Sequence, residues 1–112
     1  MLPKSYRLPS FEILPLLKEG RRAGASPLQA VFRPSPNTLP RLVIVVPVRV
    51  DKRAVVRNRN KRLIRESLRH LLSQIATNRD IAILVKTDVS GQKQPEVEAS
   101  LKALLSSAHL LR

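Results

Sequence analysis

Residues 49–75 read RVDKRAVVRNRNKRLIRESLRHLLSQI, and they hold nine of the chain's 21 lysines and arginines against only Asp51 and Glu66. At 100° per residue the stretch is one amphipathic helix, expected over 52–76 with Asp51 as its N-cap. With Arg57 set at zero, Arg57, Lys61, Arg65, Asn58, Arg69 and Arg62 fall on an arc of about 140°. Ile64, Leu68, Leu71, Leu72 and Ile75 occupy an overlapping, shifted arc that dominates the later turns. The second half is thus expected to be anchored in a core while the first half projects charge. Like charges four apart on a helix repel by a few tenths of a kcal/mol per pair. Solvated helix faces usually interleave signs, and here only Glu66 does so, which makes the stripe a surface for an anion. Arginine forks grip pairs of phosphate oxygens and lysines act as point charges. Asn58, among them, is placed to orient a phosphate or a sugar hydroxyl.

On either side of this helix the sequence reads as strand. Arg41–Val50 (RLVIVVPVRV) is the strongest strand signal, with its LVIVV part expected to be buried on both faces and Pro47 ending regular pairing. Ile81–Lys86 (IAILVK) is a second buried strand after a turn at Thr77–Asp80. Strand, helix and strand form a βαβ unit with those two strands parallel. Upstream, residues 1–9 are expected as an extended basic arm. FEILPLLKEG gives a short helix, capped by Ser10, stopped by Gly20, with Pro15 in its first turn. Arg21, Arg22 and Gly24 form a basic link or short edge strand, and Leu28–Arg33 a strand ending at the prolines Pro34, Pro36 and Pro40. Downstream, Ser90–Gln94 is a loop, and Pro95 opens a final helix whose apolar face is Val97, Leu101, Leu104 and Leu105. The fold class is α+β, a two-layer α/β sandwich of αβββαβα order, and the 112 residues suit a single domain.

A formal charge of +13 points to a polyanion, nucleic acid before an acidic membrane surface. Apolar content of 43% is enough for a real core, which excludes a disordered basic tail. The absence of cysteine excludes disulfides and thiolate chemistry and fits a reducing, cytoplasmic setting. No apolar run is long enough to span a membrane, and MLPKSYRLPSF lacks the apolar segment of a signal peptide. Tyr6, Phe11 and Phe32 are the only aromatics, too few for a surface built mainly on base stacking. His70 and His109 lie far apart and the acids are scattered, so no metal or catalytic set emerges; Glu96 and Glu98 are accounted for by the first turn of the last helix. The chain reads as a binding subunit without chemistry of its own.

The segment Ala54–Glu66 (AVVRNRNKRLIRE) resembles the signature of the bacterial ribonuclease P protein subunit. That family carries R-N-R-x-K-R-x-x-R on its central helix, matched here by Arg57, Asn58, Arg59, Lys61, Arg62 and Arg65. Element order and length also resemble the family over most of the chain. The resemblance implies a fold like the second domain of ribosomal protein S5. It also implies a division of labour in which a catalytic RNA subunit removes the 5′ leader of precursor tRNA, with Mg²⁺ held by RNA and substrate. The protein would bind that RNA and the leader and break no bond itself. The matched residues would bind RNA, joined by Arg49, Lys52, Arg53 and Arg69. Where the family has Ser-Lys-Lys and a Gly before the signature, this chain has Val48-Arg49-Val50 and Lys52, which keep the charge. A leader cleft between the sheet and the first helix would involve Arg7, Phe11, Ile13, Leu17 and Val31, with either Phe11 or Ile13 at the family's aromatic position. The rival readings are a ribosomal or ribosome-assembly protein and, lower, a DNA-binding regulator; no helix-turn-helix pattern supports the latter.

Overall fold

The computed structural model describes residues 2–112, so Met1, the first residue of the expected arm, lies outside it. Its main elements are α1 (Ile13–Glu19), β1 (Arg21–Gly24), β2 (Leu28–Pro34), β3 (Arg41–Val45), α2 (Ala54–Leu71), β4 (Arg79–Val85) and α3 (Gln94–Ser107). The sheet order is β1-β2-β4-β3, with β3 parallel to β4 and the other pairs antiparallel. The βαβ unit is therefore present as expected. Its strands differ in status from the expectation, however. β4 is the interior strand, buried from Asp80 to Val85, whereas β3 lies at the edge and Val43–Val46 are only half-buried. An uninterrupted run of β-branched residues does not distinguish an interior strand from an edge strand that has helices near both faces. Pro47 does end regular pairing, and Val48–Val50 form a 3-10 turn rather than more strand.

Alternation of side chains along the strands separates two cores. Leu28, Ala30, Leu42, Ile81, Ile83 and Val85 face the layer of α2 and α3, meeting Ile64, Leu68, Leu71, Ile75, Val97, Leu101 and Leu105. Val31 and Ala82 face the other way and are covered by Leu16 of α1 and by Leu8. Each fully buried aliphatic side chain contributes about 1.5–3 kcal/mol.

The N-terminal segment is not a uniformly extended arm. A 3-10 turn interrupts it at Lys4–Tyr6, Leu2 and Leu8 are buried, and Leu8 N–H donates to Leu42 O at 3.0 Å along the β3 edge. Ser10 does not cap α1; it starts a 3-10 turn, Ser10–Glu12, and Pro15 falls in the first turn of the helix as expected. Gly20 stops α1, but in extended backbone (φ −71°, ψ 154°), so no left-handed cap is involved. The requirement is space: a Cβ there would lie 2.7 Å from both Leu16 O and Val31 Cγ1. Gly20→Ala is expected to destabilise the fold by about 1–3 kcal/mol through this overpacking, read as a lower urea midpoint at unchanged m-value.

Candidate nucleic-acid interface

The buried face of α2 consists of Val56, Asn60, Ile64, Ser67, Leu68 and Leu71. On the helical wheel these centre near 300°, so the outward direction is near 120°, where Asn58, Arg69 and Arg62 lie. The cationic stripe thus points away from the core, as expected. The anchor, however, begins a turn earlier than the leucines suggested. Asn60 has no exposed surface. Its Nδ2 donates to Val56 O at 2.9 Å and to Asp88 Oδ1 at 2.8 Å, and its Oδ1 accepts from Val89 N–H at 2.8 Å. A polar residue inside the apolar arc pins the loop after β4 onto α2, which holds the charged half of the helix rigid. Its position among Val56, Ile64 and Leu71 on the wheel was the signal for this role.

The cations divide by partner. Asp51 is not the N-cap; Arg53 holds that position, and Asp51 Oδ1 accepts from Arg53 N–H at 2.8 Å. The Arg53 guanidinium also pairs with Asp51 at 2.9 Å, which with the backbone bond holds the Asp51 carboxyl down at about 2. Arg57 Nη1 donates to the carbonyls of Asp51 and Lys52 at 3.0 and 2.9 Å, closing the turn into the helix. Arg69 pairs with Glu66 at 3.2 Å, and His70 Nδ1 with Glu98 at 2.6 Å, joining α2 to α3. Glu98 therefore acts through this pair rather than through the helix dipole; Glu96, which accepts from Lys93 N–H at 3.0 Å, is the residue of the first turn. Among the described residues, Arg49, Lys52, Arg59, Lys61, Arg62 and Arg65 have no carboxylate within 4.0 Å, and Asn58 is exposed.

Lys61 and Arg65 turn toward the β3 edge, where a cavity of about 280 Å³ is lined by them and by Leu2, Arg7, Leu42, Val43 and Ile44. Arg7 is held there by its Nε–H bond to Leu2 O at 2.9 Å. The five residues expected to form a leader cleft are therefore not one cluster. Arg7 joins the end of the stripe. Ile13 and Leu17 are half-buried on the α1 core, and Phe11 stands 79% exposed before α1. Val31 has no exposed surface beneath α1, so it belongs to the core and lines no open cleft.

Asp88 is held below the usual carboxylate range, first by the backbone N–H of Ser90 and then by Asn60. A depressed carboxyl contributes stability that is present above its unfolded value, here 3.8, and is lost as pH falls through the folded value. Acidification below about pH 4 is thus expected to lower the urea midpoint, and Asp88→Asn to shrink the difference between pH 7 and pH 3 midpoints.

Fold and face together define a small mixed α/β protein that presents an unneutralised cationic helix beside a sheet edge. A sequence model of the Ribonuclease P family matches residues 2–109. The chain belongs to the ribonuclease P protein family. The ribonuclease P protein component of Xanthomonas oryzae pv. oryzae is 31% identical over 109 residues, covering 97% of this chain and 74% of that one. Its Synechococcus counterpart is 34% identical over 117 residues, covering 99% and 87%. The solved RNase P protein of Thermotoga maritima superposes with a TM-score of 0.79 at 27% identity, covering 90% and 96% of the two chains. That of Staphylococcus aureus gives 0.83 at 23%, covering 97% and 100%. The four-stranded sheet and three helices match these folds, as the sequence led us to expect. Among the described residues no helix is long and apolar enough to cross a membrane.

Proposed function

We propose that this chain acts in tRNA processing as the protein partner of a catalytic RNA. In this reading Asn58, Arg59, Lys61, Arg62 and Arg65, with Arg49 and Lys52, meet the phosphates of the RNA. Arg53, Arg57 and Arg69 keep their charge outward while serving first as local clamps. The observation that carries the reading is the run of cations on the outer face of α2 without carboxylate partners, in a chain of this family. The leader of precursor tRNA is held by Phe11, whose exposed ring is available to stack on a base, and by Arg7 with Lys61 and Arg65 along the β3 edge. Ile13 and Leu17 support the position of Phe11. The protein breaks no bond; it lowers phosphate repulsion so that RNA, substrate and Mg²⁺ assemble at lower Mg²⁺. Among the described residues no group of three imidazole or carboxylate side chains converges to hold a metal, so no step is assigned to a metal on this chain.

The test is reconstitution with a bacterial catalytic RNA and precursor tRNA at low Mg²⁺. The chain should raise cleavage by the RNA, most for leader-bearing substrate, and the RNA-free chain should not cut. Cleavage by the purified chain alone, or no effect on the RNA-catalysed reaction, overturns the reading. Recovery of ribosomal RNA instead of one large structured RNA in a pull-down would favour a ribosome-assembly role.

A further inference from the structure

We propose that the far end of the sheet carries a second nucleic-acid site, a pocket for one nucleotide of single-stranded RNA, separate from α2. A cavity of about 380 Å³ opens there, lined by Glu19, Arg21, Phe32, Arg33, Pro34 and Arg79. It lies at the small end of the range of ligand pockets.

Strand register explains how the sequence builds it. Arg21 of β1 stands opposite Phe32 of β2, and Phe32 stands opposite Ile81 of β4. Arg79 lies two residues before Ile81, so Arg21, Phe32 and Arg79 share one face of the sheet, the two arginines flanking the ring. Phe32 packs on the main core and is half-buried, leaving part of the ring toward the cavity. Arg33 is committed to Glu12, Glu19 and Asp80. By contrast, Arg21 and Arg79 have no carboxylate within 4.0 Å among the described residues, and the bond that Arg79 makes goes to the neighbouring Asn78 O at 3.1 Å.

An aromatic ring between two uncommitted guanidinium groups suits a planar base with its phosphate. The ring and a guanidinium plane stack on the base, and the remaining fork takes the phosphate oxygens. Glu19, its side chain 73% exposed at the rim, is an acceptor for an amino-bearing base edge, which favours guanine or cytosine over uracil. The pocket is not an extension of the α2 stripe. β3 and β4 run parallel with Arg41 beside Asp80, so Arg79 marks the end of the sheet away from Val48–Arg53 and the start of α2. The 18 residues of α2 span about 27 Å between those ends. An acidic peptide would satisfy the arginines but leave the ring and Glu19 without a role.

The experiment is NMR titration of the full chain with guanosine, cytidine and uridine 5′-monophosphates, inorganic phosphate, an acidic peptide and a single-stranded tetranucleotide. Guanosine or cytidine monophosphate should shift the Phe32 ring saturably, uridine monophosphate less, and phosphate alone not at all. Arg21→Ala/Arg79→Ala, at surface positions that leave the core intact, should abolish that shift while amides of α2 still respond to RNA. The same variant should bind the tetranucleotide at least fivefold more weakly, with the log–log salt slope reduced by about 1.4, roughly 0.7 per phosphate contact. A Phe32 ring unmoved by every nucleotide, moved equally by phosphate, or moved only by the acidic peptide overturns the proposal. In each of those cases responses confined to α2 leave the reading of the helix standing.

Discussion

Replacing Arg59, Lys61, Arg62 and Arg65 together by alanine is expected to abolish tight binding of the chain to structured RNA while leaving the protein folded. The substitution lowers formal charge from +13 to +9, since 13 − 4 = 9. Arg59 and Arg62 are exposed and Lys61 and Arg65 half-buried, and none forms an ion pair with a described carboxylate. Relief of like-charge repulsion offsets the loss of stem packing at the β3 edge, so stability should change by less than about 1 kcal/mol. Binding should respond far more. Each phosphate contact carries about 0.9 units of log–log salt slope on a duplex-like surface, so four lost contacts remove roughly 3–4 units. Affinity should fall roughly a hundredfold or more, measured by filter binding across a salt series. Arg53→Ala and Arg69→Ala, which lose ion pairs with Asp51 and Glu66, should have smaller effects on the slope. A quadruple variant with an unchanged slope would falsify the assignment of the stripe.

Why the stripe is legible in the sequence and the cleft is not comes down to the range of the interactions involved. A 3.6-residue repeat is local, so the outward direction of Arg62 and the buried set around Ile64 follow from the sequence of α2 alone. The break at Pro47 and the helix opened by Gln94 and Pro95 are also local, because proline lacks a donor and has a fixed φ. Which of two apolar strands lies inside the sheet depends on pairings between residues up to 57 positions apart, such as Gln29 with Leu84 or Leu28 with Val85, beyond the reach of pattern. The same holds for Val31, which the family resemblance puts in a cleft and which lies under Leu16 because α1 crosses β2 and β4 there. Caps mislead for a related reason. Asp51 before an apolar-periodic run looks like an N-cap, but its carboxylate is used by Arg53, two residues on, and the helix starts later. The acids that look scattered along the chain, Glu12 and Asp80, are brought together only by the fold.

Asp80→Ala is expected to cost more stability than either Gly20→Ala or Asp88→Asn. Asp80 is 1% exposed on β4, and register places Arg33 and Arg41 beside it on the neighbouring strands. Its Oδ1 accepts from Arg41 Nε at 2.9 Å, and its Oδ2 from Arg33 Nε at 3.1 Å and Arg41 Nη2 at 3.0 Å. Glu12 closes the network, accepting from Arg41 at 2.8 Å and from Arg33 at 3.2 Å, and so ties the turn before α1 to the sheet. The Asp80 hydrogen bond is the leading cause that raises Arg41 above the usual guanidinium range, so the charged pair is mutually stabilised. Removing Asp80 strands two guanidinium groups that are about four-fifths buried, at 20% and 17% side-chain exposure. Breaking a buried pair in this way costs about 3–5 kcal/mol. The lower end is expected for this network, because Glu12 and partial exposure compensate both arginines. Asp80→Asn keeps one acceptor oxygen and should lose less. A cycle with Arg41→Met separates the pair from the fold: if the network is the cause, the double variant should be less destabilised than the sum by about 1–3 kcal/mol in urea titrations. Strict additivity would mean that Asp80 stabilises β4 without Arg41. The α2 stripe lies on the helical layer over the opposite face of the sheet, so RNA affinity per folded molecule should be nearly unchanged in Asp80→Ala.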